Sequence, residues 1–249
     1  MSKSLALQGL TLGYERRPAV WRVDADFPAG SLTAVVGPNG AGKTTLLKGL
    51  VGELTPIEGR IVLPERNVAY LPQQSMLDRS FPITVLELVA MGLWRRLGAF
   101  GGVTRSGWPR IASALAAVGL TGFERRRIGT LSIGQMQRVL FARLLLQEAD
   151  VLLLDEPFTA IDTGTATDLL DVIGKWHHEG KTIIAVLHDL ETVREHFPQT
   201  LILARDLVAH GDTSTVLTAQ NLMQARQMCE ACADPEHSCG RPVVEAWSR

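Results

Sequence analysis

Cysteine is nearly absent from this chain: there are three in 249 residues, all between positions 229 and 239. The body therefore has no thiols from which to build a disulfide framework. An excess of one charge is also missing. Lys and Arg number 25 against 26 Asp and Glu, and a net charge of −1 supplies no electrostatic grip on nucleic acid. No apolar run approaches the roughly 18 residues that a membrane-spanning helix needs. The start, Met1-Ser2-Lys3-Ser4-Leu5, lacks the apolar stretch of a secretory signal. These absences predict a chain that stays in the cytosol unless another protein holds it at a membrane. Internal repeats and low-complexity tracts are lacking too. What remains is a chain with 46% hydrophobic residues, enough for one sizeable core and a modest insertion but too short for two full α/β domains.

Strand-like and helical runs alternate, which predicts an α/β fold with a parallel sheet covered by helices. The expected strands are Leu32–Val36, Ile61–Leu63, Val68–Leu71, Val151–Leu154 and Thr182–Leu187. Leu5–Leu10 and Leu201–Leu203 read as more edge-like members of an antiparallel portion. From Met76 to about Gly129 the pattern turns helical, with Val85–Leu93 and Ile111–Val118 clearest and Gly98, Gly101, Gly102 and Pro109 as breaks. No linker flanks this stretch, so it reads as an insertion within the same domain.

Between the strand Leu32–Val36 and a helix beginning near Lys43 lies Gly37-Pro38-Asn39-Gly40-Ala41-Gly42-Lys43-Thr44-Thr45. Glycines there let successive N–H groups converge on an anion, Lys43 brings a mobile positive charge, and Thr44 offers a hydroxyl to magnesium. The helix N-terminus adds its positive end. The segment predicts a nucleoside-triphosphate site. A second constellation, Val151-Leu152-Leu153-Leu154-Asp155-Glu156-Pro157, is an apolar strand ending in two carboxylates. Asp155 fits a magnesium-holding acid, and Glu156 a general base or orienting group for the attacking water.

A third element, Leu131-Ser132-Ile133-Gly134-Gln135-Met136-Gln137-Arg138, runs into the helical Val139–Leu146. Ser132 and Gly134 sit where a helix N-terminus could receive another anion. By itself it is also a plain Ser-capped helix. In its place between the phosphate loop and the carboxylate strand it resembles the signature motif of ATP-binding-cassette (ABC) ATPases, with Ile133 where glycine is usual. The resemblance covers roughly residues 5 to 215. It implies a P-loop NTPase with a RecA-like parallel-sheet core, an antiparallel β portion and a helical subdomain at about residues 76–140. The cassette would fill residues 1–217 and leave 218–249 as a separate tail.

The same resemblance implies roles for further residues. Tyr14 matches the aromatic residue that stacks on adenine. Gln73, with Gln74 as the alternative register, matches the glutamine that touches magnesium and water, and Asp162 the aspartate that bridges subunits. His188 matches the switch histidine at the γ-phosphate. Ser132, Gly134 and Gln135 of one subunit would close over ATP held by residues 37–45 of another, so the implied unit is a homodimer. ATP and magnesium are the implied cofactors, with Thr44, Gln73 and Asp155 as the magnesium residues.

In transporters of this family the helical region receives a short cytoplasmic helix of the membrane permease. Here it carries Trp94, Phe100 and Trp108 with Arg95, Arg96 and Arg105, which suits either a protein contact or a small core with solvated arginines. The series Asp78, Phe81-Pro82, Thr84-Val85 and Met91-Gly92 after Gln73 is similar to the zinc and manganese uptake branch. That likeness implies an importer subunit at the cytoplasmic face of the membrane, served by an extracytoplasmic metal-binding protein and using no nucleic acid. A soluble ABC ATPase acting on nucleic acid or ribosomes, and a non-catalytic nucleotide sensor, are the competing readings. Finally, Cys229, Cys232, His237 and Cys239 form C-x₂-C-x₄-H-x-C, a chemically complete tetrahedral zinc set. A redox pair and chance cysteines on a tail are the alternatives.

Overall fold

The apolar stripes of the sequence become nine strands and nine helices among the described residues, which are 4–15, 17–63, 67–73, 78–98 and 107–233 of a computed structural model. In chain order come β1 (Leu5–Tyr14), β2 (Arg17–Phe27), β3 (Leu32–Val36), α1 (Lys43–Val51), β4 (Glu58–Val62) and β5 (Val68–Leu71). Next are α2 (Val85–Ala90), continued by a 3₁₀ turn at Met91–Leu93, then α3 (Trp94–Leu97), α4 (Gly107–Ala117) and α5 (Ile133–Gln147). The chain continues through β6 (Val151–Asp155), α6 (Thr163–His178), β7 (Thr182–Val186) and α7 (Leu190–His196). It closes with β8 (Gln199–Ala204), β9 (Asp206–Asp212), α8 (Thr213–Val216) and α9 (Ala219–Ala233). Two compact units emerge, one of residues 1–65 with 184–249 and one of residues 66–183.

The first unit holds an antiparallel sheet, in which β1 pairs with both β2 and β4, and a mixed one, in which β8 lies parallel to β3 and antiparallel to β9. All five residues of β3 are buried, as a continuous apolar run between covered faces requires. The expectation for Leu201–Leu203 needs correction. That strand is no edge: Leu201, Ile202 and Leu203 are fully buried between β3 and β9. Helix α9 packs against β8 and β9.

β2 escaped the sequence reading for a physical reason. Val23, Ala25 and Phe27 point inward in strict alternation, but the inward residue before Val23 is Val20, three positions away. At Arg22 the backbone turns left-handed (φ 43°) and the register with β1 shifts from Leu10↔Val23 to Leu12↔Val20. One bulged residue thus breaks the period-two signal in the middle of the strand.

The second unit is built on the parallel pair β5 and β6 and on α5, which packs against α2, α4 and α6. Strand β6 is buried along its whole length. Pro109 does not break the helical stretch as expected. It lies in the first turn of α4, where its missing N–H has no intrahelical acceptor to serve. Gly98 does end α3, while Gly101 and Gly102 lie outside the described residues. The core of this unit centres on Phe141 of α5 stacked on Trp176 of α6, with ring centroids 5.5 Å apart and planes 10° apart.

Both rings are nearly inaccessible to water, so truncation leaves a cavity that neighbours cannot fill. Phe141→Ala should cost about 3–4 kcal/mol, read as a lower urea midpoint with the slope unchanged. A loss below about 1 kcal/mol would mean that this stack does not anchor the unit.

Candidate active site

In the first unit the loop from Gly37 to Gly42 links β3 to α1, and its shape is set by close backbone approaches. A Cβ placed on Gly37 would lie 2.0 Å from the Leu203 carbonyl oxygen, so no other residue fits. Gly42 takes a left-handed conformation (φ 93°) as the N-cap of α1 and donates no side-chain cap. The N-cap position thus brings no side-chain oxygen to the start of α1, which suits an anion site at a helix N-terminus. Behind the loop, the Arg205 N–H donates to the Ala41 carbonyl at 2.9 Å.

Lys43 is 7% exposed, and its ammonium donates to the carbonyls of Gly37 at 2.8 Å and Pro38 at 2.9 Å. The charge is thus held over the loop rather than released to solvent. Thr44 is half-buried and Thr45 buried, whereas Asn39 and Gly40 are exposed at the loop's tip. At the end of β1, Tyr14 keeps 47% of its surface exposed and has the Lys48 ammonium 5.9 Å from its ring centroid. An exposed ring with a cation beside it offers a stacking face.

His188 follows β7 and is exposed. It shares with Gly37, Pro38 and Leu190 the wall of a cavity of about 630 Å³, whose far side is α9. Its neighbour Asp189 caps α7 by accepting from the N–H groups of Glu191 (3.1 Å) and Thr192 (3.3 Å) and from the Thr192 hydroxyl. That cap fixes the turn on which His188 stands.

In the second unit the register of β5 and β6 explains the site. Leu71 lies opposite Leu154, so two residues further on Gln73 comes opposite Glu156. The Gln73 amide donates to the Glu156 carboxylate at 3.0 Å, and the Thr159 hydroxyl donates to the same oxygen at 3.2 Å. Asp155 is 1% exposed and accepts from the Tyr70 hydroxyl at 3.3 Å. Glu156 itself adopts φ 50°, a left-handed conformation that costs a non-glycine residue of order 1 kcal/mol or more. The strained turn lets the chain reverse direction directly after Asp155, so that two consecutive acids need not share one line. Gln74 lies outside the described residues.

The Ser132 segment caps α5 with a reciprocal box: Ser132 Oγ accepts from the Gln135 N–H, and Gln135 Oε1 accepts from the Ser132 N–H, both at 3.1 Å. Gly134 sits against Thr165 and Asp162, so the N-termini of α5 and α6 lie side by side. Asp162 caps α6 through the Thr165 N–H (2.9 Å) and hydroxyl (2.8 Å), and these bonds hold its carboxyl below the usual carboxylate range. Ile133 is 41% exposed at the first position of α5.

Three supporting residues escaped the sequence reading. Tyr70 and Thr159 orient the two acids. Arg138 ties α5 down by donating to the Val118 carbonyl (3.1 Å), Thr165 (3.4 Å) and Asp168 (2.6 Å). Only pairing across strands and helices shows these roles, although Arg138 one turn into a Ser-capped helix is a visible hint.

The order of these parts is matched by a sequence profile for the ABC transporter, which covers residues 20–159. The chain belongs to the ABC transporter family. As an ABC ATPase it hydrolyses ATP, with magnesium as the partner ion. Its relatives include the manganese transport system ATP-binding protein MntB of Listeria monocytogenes, 38% identical and matching 89% of this chain and 95% of that one. The zinc transport system ATP-binding protein TroB of Treponema pallidum is also 38% identical, over 89% of this chain and 86% of its own. A solved ABC transporter described as of the metal-chelate type, in an inward-facing conformation, superposes with a TM-score of 0.82 at 29% identity, covering 91% of this chain and 90% of that one. Among the described residues no helix is long and apolar enough to cross a membrane, and no group of His, Cys, Asp and Glu forms a metal cluster.

The Asp189 cap makes a pH-dependent prediction for this ABC ATPase. Its carboxyl is held below the usual range, chiefly by the Thr192 hydroxyl and then by the Glu191 and Thr192 N–H groups. The cap is therefore complete above the ordinary carboxylate value and is lost as pH falls through the lowered one. Asp189→Ala should cost about 1 kcal/mol and speed amide exchange in α7 near neutral pH. Unchanged exchange there would mean that the cap does not secure the His188 turn.

Proposed function

We propose that this chain is the ATPase subunit of a divalent-metal importer carrying zinc or manganese. It works at the cytoplasmic face of the membrane, bound to a permease that an extracytoplasmic metal-binding protein supplies. The observation that carries this reading is that likeness to the manganese and zinc systems runs through the helical unit as well as the nucleotide motifs, over 89% of the chain. The Asp78–Met91 stretch gives it a local basis. Asp78 accepts from Ser80, Thr84 and Glu87 form a capping box on α2, and this turn-and-helix leaves Phe81 58% and Met91 43% exposed. With a net charge of −1, nucleic acid has no place in the reading.

In this proposal Tyr14 stacks on adenine, and residues 37–45 hold the phosphates, with Lys43 facing the β- and γ-phosphates. Thr44, Gln73 and Asp155 supply hydroxyl, carbonyl and carboxylate oxygens, the hard donors that magnesium takes. Gln73 already donates its nitrogen to Glu156, which leaves its oxygen as the ligand atom. Glu156 positions or deprotonates the attacking water, and His188 senses the γ-phosphate. Ser132, Gly134, Gln135 and Asp162 meet the nucleotide of a second copy, because an isologous dimer supplies both halves of each site twice.

Hydrolysis should fall by roughly 10²–10⁴ in Glu156→Gln, and zinc or manganese uptake by vesicles carrying the subunit with its permease should fall with it. The same variant should accumulate as an ATP-bound dimer in size-exclusion chromatography. Monomers that bind ATP and magnesium without associating would overturn the shared site. Uptake of neither metal by the wild type would overturn the importer reading.

We further propose one zinc ion on Cys229, Cys232, His237 and Cys239. Helix α9 carries positions 229 and 232 three apart, while His237 and Cys239 lie outside the described residues. Three thiolates and one imidazole match the preference of zinc for four N/S ligands, and binding should weaken as acid protonates the thiols. Freshly reduced protein should carry one equivalent that a Cys229/Cys232/Cys239→Ser variant lacks. Equal zinc content in the two proteins would remove the site.

A further inference from the structure

One wall of the cavity beside His188 comes from an element with no catalytic role. Helix α9 supplies it through Leu222, Arg226 and Glu230, which follow at four-residue steps on one helical face, with Met223 alongside. The lining is apolar where it is buried, at Val36, Leu187 and Ala225, whereas His188, Arg226, Gln227 and Glu230 are exposed. Met223 keeps 64% of its surface open to solvent. At about 630 Å³ the space is as large as a small-molecule pocket, but such pockets hold their ligands with polar groups that converge inside. Here the charged side chains are the exposed ones. An apolar floor with charges at its mouth suits a peptide segment that brings apolar residues and fitting charges.

The sequence beyond α9 contains such a segment, Arg241-Pro242-Val243-Val244-Glu245-Ala246-Trp247. Laid antiparallel to α9, it would set Arg241 beside Glu230, Glu245 beside Arg226 and Trp247 beside Met223, so two opposite-charge pairs and one sulfur-aromatic contact share a single register. Laid parallel, it would set Arg241 against Arg226 and Glu245 against Glu230, like on like. The zinc site proposed above selects the same direction. One ion held by Cys229 and Cys239 brings their sulfurs within about 5 Å, which returns the chain to α9 just before Arg241. Reach is ample: Cys239 to Trp247 can extend about 26 Å, against about 9 Å along α9 from Cys229 to Met223.

We propose that residues 241–247 are an autoinhibitory segment that fills this cavity when zinc binds the Cys/His set. Val243, Val244 and Trp247 cover Leu222 and Met223 and lie against the wall made by Pro38 and His188, which restrains the phosphate loop and the histidine that senses the γ-phosphate. This rests on the zinc site and the importer reading above and adds what the ion does: it reports metal already inside and slows the ATPase that drives further uptake.

The test is the ATPase rate of the full chain at saturating ATP and magnesium, with and without one equivalent of zinc. Wild type should slow roughly fivefold or more on adding zinc. Trp247→Ala and Glu245→Arg should bind the same equivalent yet stay within about twofold of the metal-free rate, and Cys229/Cys232/Cys239→Ser should neither bind nor slow. Arg226→Glu combined with Glu245→Arg should regain the inhibition, which poisoning of the nucleotide site by zinc would not reproduce. Zinc bound by wild type without slowing, or equal slowing in Trp247→Ala, overturns the proposal and leaves the zinc site standing. No zinc bound by wild type overturns both. These rates need no permease, so their outcome is separate from that of the importer reading. Benzoylphenylalanine in place of Trp247 identifies the occupant by photo-crosslinking: links to residues 222–230 of the same chain are expected, and links joining two chains would give the cavity to a second copy and overturn the proposal.

Discussion

A positive charge has to be kept where water hardly reaches, and two backbone carbonyls make that tolerable. Lys43 would be costly to bury alone; the Gly37 and Pro38 oxygens at 2.8 and 2.9 Å replace part of its hydration. Those oxygens are in place only because the loop curls tightly, and it curls tightly because Gly37 lies against the Leu203 carbonyl. The depth of β3, the burial of β8 and the uncapped start of α1 all serve this arrangement. An anion arriving there meets donors that need little reorganisation, which makes electrostatic stabilisation effective.

The second unit solves a different problem, that of placing two adjacent carboxylates in unlike surroundings. Asp155 ends a wholly buried strand beside the Tyr70 hydroxyl, whereas Glu156 is held by Gln73 and Thr159. Extended backbone would send neighbouring side chains to opposite faces of the sheet. The left-handed turn at Glu156 instead lets β6 stop and the chain swing back, so that Thr159 reaches the same carboxylate oxygen as Gln73. The strain at Glu156 is local, and the fully apolar body of β6 is what holds it.

Much of this was legible because catalytic motifs occupy strand ends, where an apolar run followed by a charged or glycine-rich turn is easy to see. The bounds of β3 and β5 and the start of α1 at Lys43 follow directly from that pattern. The expected Ile61–Leu63 strand is found at Glu58–Val62, because polar residues pair with β1 as readily as apolar ones once one face is exposed. β9, whose residues are mostly half-buried, has only the short apolar run Leu207–Ala209 between Asp206 and His210, too brief to stand out as a strand. Within the candidate site, Glu156 and Gln73 were legible as motif members, but their direct contact was not. It depends on Leu71 standing opposite Leu154, and register between strands 83 residues apart is not written in either segment alone.

The contact between Gly37 and residue 203 is asymmetric in what it asks of heredity. Position 37 must lack a side chain, whereas position 203 is asked only for a carbonyl oxygen, which every amino acid carries. Any apolar residue that fills the core around Leu203 leaves the loop's support intact. Lengthening or shortening the hairpin at Ala204–Asp206 does not, because it moves that oxygen and the Arg205 N–H that holds Ala41. The nucleotide loop is therefore vulnerable to insertions and deletions some 165 residues away in sequence, at a turn that contributes no side chain to it.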